Sequence, residues 1–243
     1  MKNLGLLLTG LILAGNLLSQ EWVPELTEQW EPVPPVITPG EGTAPPSDAI
    51  ILFDGSNMDQ FESSEGGPAG WKLEDEIMTV DTSTSGIVTK QAFGDVQLHI
   101  EWRTPSEIVG ESQGRGNSGI FLQMRYEVQV LDSYDNITYS NGQAGSVYKQ
   151  HIPLVNACRP PGEWQTYDII YIAPRFNENG TLFSPAKLTV LHNGVLVLNH
   201  VTIKGPTEYI GLHPYKAHDL KQPFLLQAHG NPVSYRNIWL REL

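Results

Sequence analysis

The sequence predicts an all-β fold in which antiparallel strands form a sandwich or barrel. Three observations carry that expectation. Apolar and polar residues alternate with a period of two along several runs, Gly and Pro mark the intervals between those runs, and helical spacing of apolar residues is nearly absent. With 23 Gly and 18 Pro in 243 residues, there is enough turn chemistry to separate many short strands.

The clearest strand places Val96, Leu98, Ile100 and Trp102 on one face and Gln97, His99, Glu101 and Arg103 on the other. A second run sets Ile120, Leu122 and Met124 against Phe121 and Gln123. A third sets Val128 and Val130 against Glu127 and Gln129. Tyr167, Ile169 and Tyr171 alternate with Thr166, Asp168 and Ile170. Leu188 and Val190 lead into His192-Asn193-Gly194, and an apolar run follows; Asn-Gly between two such runs predicts a tight hairpin. Residues 224–229 and 233–240 read as the last two strands, parted by Gly230-Asn231-Pro232. The polar faces are rich in Glu, Gln, Arg, His, Asn and aromatic residues and poor in Lys. Such a surface suits a sugar, whose hydroxyls need donors and acceptors and whose C–H faces stack on rings.

The ends and the composition narrow the function class. Lys2 precedes an apolar run over residues 4–18, which reads as a secretory signal ending near residue 19. That run is shorter than the ~20 apolar residues of a membrane span, so the expectation is export, to the periplasm or outside the cell, with no span left after removal of the signal. Residues 20–47 carry seven prolines, from Pro24 to Pro46, and read as a linker or surface arm ahead of a domain over residues 48–243. Cys158 is the sole cysteine, so packing and not an internal disulfide holds the fold. The formal net charge of −12 disfavours nucleic acid and anionic membranes as partners and is compatible with a neutral sugar or a metal.

Several groups merit a chemical reading, each beside a plainer one. Glu127 and Gln129 share a strand face, aimed either into a cleft or at solvent. His229, two residues after Gln227 and just before Gly230, is suited to proton transfer near neutral pH or to a structural hydrogen bond. Glu101 with Arg103 could position a hydroxyl or form a cross-strand ion pair of small value. Asp132, with Ser133-Tyr134-Asp135-Asn136, reads as a calcium loop or an acidic turn. His213, His218 and Asp219 fit no standard metal spacing. Arg236 alternates with Ile238 and Leu240 and would need a carboxylate partner if buried. Trp71 and Trp164 read as packing residues.

Several short stretches occur in a particular order: Leu52-Phe53-Asp54-Gly55, Glu101-Trp102-Arg103, Asn117-Ser118-Gly119-Ile120, and the run from Tyr126 to Asp132. Then come Gly145-Ser146-Val147-Tyr148, Pro161-Gly162-Glu163-Trp164-Gln165, Gln227-Ala228-His229-Gly230 and Tyr235-Arg236-Asn237-Ile238. In that order, over about residues 50–243, the chain resembles the bacterial 3-keto-disaccharide hydrolase domain family. The resemblance implies an antiparallel two-sheet jelly-roll sandwich of the concanavalin-like lectin/glucanase type, with the site on a concave face. It implies a small-molecule carbohydrate substrate, a glycoside or disaccharide whose C3 is a ketone. The implied reaction is C2 proton abstraction, elimination of the C1 substituent and addition of water. Carried over by position, Glu127, His229, Asp132 and Tyr148 are the catalytic candidates, and Glu101, Arg103, Asn117, Gln129, Gln227 and Arg236 the substrate-binding ones. Glu127 or His229 would be the base, Arg103, Arg236 or a divalent metal the enolate stabiliser, and Asp132 or Tyr148 the proton donor. A two-carboxylate hydrolysis by Glu127 and Glu101 is the competing chemistry, and a non-catalytic carbohydrate-binding module the competing function. Ala228 stands where the family usually has an acid. The chemistry also implies a functional link to an oxidoreductase that acts on the sugar's C3.

Overall fold

The computed structural model describes residues 22–243, so the expected signal segment lies outside the described residues. Residues 22–36 belong to one unit, with a single turn of 3₁₀ helix at Pro24–Leu26, and Ile37–Leu243 form a second. Among the described residues no helix is long and apolar enough to cross a membrane.

Among the described residues fifteen strands follow in chain order. They are β1 (Ile50–Phe53), β2 (Phe61–Ser63), β3 (Lys72–Glu74), β4 (Ile77–Thr79), β5 (Ile87–Thr89), β6 (Val96–Arg103), β7 (Ser118–Leu122) and β8 (Tyr126–Val130). Then come β9 (Gln165–Ile172), β10 (Arg175–Phe176), β11 (Leu182–Ser184), β12 (Lys187–His192), β13 (Val195–Thr202), β14 (Leu225–Leu226) and β15 (Ser234–Glu242). The larger sheet has eight strands in the order β13-β12-β9-β6-β15-β4-β3, with β1 also paired to β15. The smaller has five, β2-β5-β14-β7-β8, and β10 and β11 form a separate ribbon. The fold is a jelly-roll sandwich, open and not closed into a barrel.

The alternation predicts which side of each strand is buried. Val96, Leu98, Ile100 and Trp102 point inward from β6, and Tyr167, Ile169 and Tyr171 from β9. They meet Ile120 and Leu122 of β7 and Tyr126, Val128 and Val130 of β8 in one core. The Asn193-Gly194 hairpin forms as expected, with both residues at positive φ. Trp71 is in the core, stacked on Tyr235.

Three tyrosines of the large sheet reach across the core and spend their hydroxyls on the small one. Tyr167 Oη donates to the Gln129 carbonyl at 2.8 Å and Tyr171 Oη to Gln123 Oε1 at 2.9 Å. Tyr235 Oη lies 2.6 Å from Ser118 Oγ, which donates to the Gln227 carbonyl at 2.6 Å. A phenol buried this deeply needs such a partner, and here the partners lie on β7, on β8 or in the turn between them.

Three expectations need correction. The alternation of β7 ends at Leu122: Gln123 and Met124 both take positive φ in the turn to β8, so Gln123 goes inward and Met124 outward. The apolar run over residues 224–229 pairs as a strand only at Leu225–Leu226, and His229 lies beyond it. Arg236 does not share a face with Ile238, because the ladder slips between Arg236 and Trp239 and Asn237 has φ 44°. This bulge leaves Tyr235 and Ile238 in the core and puts Arg236 and Asn237 on the outer surface.

Residues 37–49 lie on that outer surface of the large sheet. The Thr43 carbonyl accepts from Asn237 Nδ2 and Trp239 Nε1 at 2.9 and 3.1 Å, and Asp48 pairs with Arg241. The second half of the Pro-rich stretch is thus a docked arm.

Tyr235→Phe keeps the ring and removes the bond to Ser118, and should cost about 1 kcal/mol. Urea unfolding of the two proteins checks it, with an unchanged midpoint counting against the cross-sheet bond.

Candidate functional site

The outer face of the small sheet carries a pocket, and strand register explains its lining. In the β7–β8 ladder Phe121 stands opposite Glu127, and Gly119 opposite Gln129. The chain over residues 145–148 continues the sheet beyond β8, with Tyr148 N donating to the Glu127 carbonyl at 3.3 Å and Gln129 N to the Ser146 carbonyl at 3.0 Å. On the other side Gln227 N donates to the Gly119 carbonyl at 2.9 Å. Since side chains alternate, Phe121, Glu127 and Tyr148 form one row on the outer face, and Gln227 and Gln129 flank Gly119 in the next. Asn117 and His229 follow two residues further on. Thr207, Glu208 and Tyr209 close the pocket from the segment before β14.

Glu127 is the group whose environment is most unusual. Only 5 % of it is exposed, and burial pushes its carboxyl up to about 8. It takes part in no ion pair among the described residues. Gly119 makes its position accessible: a Cβ there would stand 2.5 Å from Glu127 Oε1, so the absent side chain leaves the carboxyl its place across the strand. One end of the Gln129 amide lies 3.0 Å from Glu127 Oε1, and the other 3.0 Å from Gln113 Oε1. Gln113 is itself tied to Thr138 Oγ1 and the Gly142 carbonyl. Asn117 Nδ2 donates to the Gln113 carbonyl at 2.6 Å.

Tyr148 stands beside Glu127 with its Oη 2.6 Å from Tyr139 Oη. Burial and that hydrogen bond push its phenol above the usual tyrosine range, so the proton stays on. Lys149 Nζ lies over the rings of Tyr139, Tyr148 and Tyr209 at 5.4, 5.6 and 4.1 Å and donates to the Tyr209 carbonyl. His229 is exposed at the rim.

Six of the ten predicted site residues therefore meet: Asn117, Glu127, Gln129, Tyr148, Gln227 and His229. Four do not. Glu101, Arg103 and Arg236 project from the opposite sheet, on the other side of the core. There Arg236 Nε donates to Glu101 Oε2 at 2.7 Å, and Arg103 and Arg236 both lie against the Trp164 ring. Burial alone would raise the Glu101 pKa, but the nearby His99 ring, 3.7 Å away, and hydrogen bonds from Asn237, Arg236 and Thr43 outweigh it and hold the carboxyl well below its usual range. A two-carboxylate site made of Glu127 and Glu101 is thereby ruled out. Asp132 is the fourth: it is buried in an ion pair with Arg115 at 2.6 Å, and the same guanidinium donates to the Tyr134 carbonyl. A side-chain cation thus sits in the turn that could have held calcium.

The histidines of the long segment do not gather either. His218 Nε2 pairs with Tyr126 Oη at 2.9 Å, while His213 is exposed. Among the described residues no group of three or more His, Cys, Asp or Glu comes together to hold a metal ion. Burial pushes the Cys158 thiol up to about 11, which makes it a poor nucleophile. Ala228, the departure from the family pattern, packs against the core and not into the pocket.

Sequence reading missed Gln113, Phe121, Tyr139, Lys149, Thr207, Glu208 and Tyr209. Phe121 was within reach, since it shares the period of Gly119 and pairs with Glu127. The others come from loops, which carry no periodicity.

Comparison with known proteins identifies the family and the fold. Residues 48–241 match the 3-keto-alpha-glucoside-1,2-lyase-like domain. A crystal structure from Parabacteroides distasonis, of a protein provisionally named a glycosyl hydrolase, is 54 % identical with a TM-score of 0.87, over 91 % of this chain and 97 % of that one. Two more provisionally named glycosyl hydrolases of that organism share the fold at 18 % and 19 % identity, with TM-scores of 0.59 and 0.58. Each covers 80 % of this chain, and 94 % and 99 % of its own. No curated protein matches the chain.

The raised Glu127 pKa has a thermodynamic consequence. Folding takes up a proton at this carboxyl, so its contribution is complete below the unfolded value near 4.5 and is lost as pH rises through about 8. Glu127→Gln should therefore gain stability relative to the native protein between pH 5 and 8. Urea unfolding across that range checks it; a constant difference would mean that the carboxyl is already ionised.

Proposed function

This chain belongs to the 3-keto-alpha-glucoside-1,2-lyase-like domain family, and on that premise we propose that it cleaves 3-keto-glycosides by elimination at the Glu127 pocket. The observation that carries the proposal is a buried carboxyl without a cation partner, whose pKa lies close to neutral. That is the condition of a general base that must take up and release a proton.

A ketone at C3 acidifies the hydrogen at C2. The Glu127 carboxylate takes that proton, and the electron pair of the C2–H bond moves to the C3 oxygen as an enolate. When the enolate collapses, the C3 carbonyl re-forms, a C1–C2 double bond appears and the C1–O bond breaks. The leaving oxygen takes a proton, for which His229 is placed at the rim, where it reloads from solvent. Tyr148 keeps its proton and donates a hydrogen bond to the enolate oxygen, while the amides of Asn117 and Gln227 hold sugar hydroxyls. Water then adds across the double bond with its hydroxyl at C1, completing a net hydrolysis. The reaction class that supplies the substrate is oxidation of a glycoside at C3, which assigns the preceding step to a sugar oxidoreductase. A signal at residues 1–19 would place the reaction outside the cytoplasm.

The test compares 3-keto-glucosides with the same glucosides left unoxidised. Turnover is expected of the ketones only, and turnover of neither class alongside measurable sugar binding would leave a carbohydrate-binding module. Glu127→Gln should lower kcat by about 10²-fold or more. Gly119→Ala, which displaces the same carboxyl, should lower kcat while the protein stays folded. For the native enzyme kcat/KM should rise as pH approaches about 8, since the base must be ionised.

A further inference from the structure

The pocket is small for the substrate class just proposed. Its volume is about 160 Å³, close to the ~150 Å³ of a cavity that takes one benzene molecule. It holds one six-membered ring. The group attached to C1 must therefore lie outside it, on the rim.

The segment that brings Thr207 and Glu208 to the pocket also presents apolar side chains. Tyr209 lines the pocket and is 72 % exposed, and the next large side chains along the chain, Ile210 and Leu212, are 77 % and 59 % exposed. Exposed apolar side chains are common singly, but here three fall within four residues of a segment whose Tyr209 lines the pocket. The patch is held in place. Thr207 N donates to the Arg125 carbonyl at 2.7 Å, and Glu127 N to Thr207 Oγ1 at 3.1 Å, which ties the foot of the loop to the base's own strand. The far end folds back so closely that a Cβ at Gly205 would overlap the His213 carbonyl. Lys149 Nζ packs on the Tyr209 ring and bonds its carbonyl. Ile210 and Leu212 have no side-chain polar atoms to meet the hydroxyls of a second sugar.

We infer that Tyr209, Ile210 and Leu212 form the leaving-group subsite, and that it favours a planar apolar aglycone, such as an aryl group, over a small or polar one. This rests on the proposed function for the identity of the ring in the pocket. It does not rest on the elimination chemistry.

The experiment measures binding and turnover separately on the full chain. Binding of phenyl and methyl 3-keto-glucosides is measured by calorimetry with Glu127→Gln, which prevents turnover, and turnover of both with the native enzyme. The phenyl compound should bind about tenfold more tightly. Tyr209→Ala, and separately the exposed pair Ile210→Ser with Leu212→Ser, should reduce that preference several-fold. A preference that is absent, or that survives all three substitutions together, overturns the subsite. A Tyr209-dependent phenyl preference in a protein that cleaves neither ketone supports the subsite and removes the elimination reading.

Discussion

The site depends on the register of the small sheet, and that register is held by burial. Ile120, Leu122, Val128 and Val130 face the core, so Phe121, Glu127 and Gln129 must face outward, and a slip of one residue would exchange the two sets. Apolar burial is non-directional and would tolerate some sliding of one sheet over the other. The bonds from Tyr167, Tyr171 and Tyr235 are directional, and two of them end on the backbone or side chains of site-bearing segments: the Gln129 carbonyl, and Ser118 with its link to Gln227. The core thus positions the pocket from below while no core residue enters it.

The treatment of buried and half-buried acids separates structural from chemical roles. Asp132 has Arg115, Asp95 has Arg175 and Glu101 has Arg236, each within 2.7 Å. Removing charge from water is costly, and a guanidinium offsets the cost and keeps the carboxylate ionised. Glu127 has an amide and aromatic rings about it instead, so its proton lies near the balance point at neutral pH. His99 shows the opposite outcome on the other sheet. Burial would lower its pKa, but Asp168 and Glu101 outweigh burial and raise it to about 9. The outer face of the large sheet is a closed charge network under the docked arm, while that of the small sheet is left unneutralised and open.

The loops complete what the strands begin. The residues after β8 bring Tyr139, Tyr148 and Lys149 to one side of Glu127, and the segment between β13 and β14 brings Thr207 and Tyr209 to another. This is the common division in β-sandwiches, where a rigid sheet holds the reacting groups and loops decide what reaches them.

Alternation in the sequence was enough to find the long strands β6, β8, β9 and β12 and to separate the inward from the outward side of β6 and β9, because a period of two is a local property of extended chain; it failed where turns and a bulge break that period, at Gln123, at His229 and at Arg236. It put Glu127 and Gln129 on one strand face; Gln227 and His229 line the same pocket although only Leu225–Leu226 pairs as a strand there, and family resemblance joined the four into one candidate site. It could not separate Glu127 from Glu101, since both stand on polar strand faces and a face does not reveal what lies above it. Tertiary structure decided that: an arm and Arg236 cover Glu101, whereas loops around Glu127 leave a cavity the size of one ring. It also decided the fates of Asp132 and Arg236, through an arginine 17 residues upstream and a bulge at Asn237. Contacts of that kind join residues far apart or break the local period, so no run of neighbouring residues encodes them.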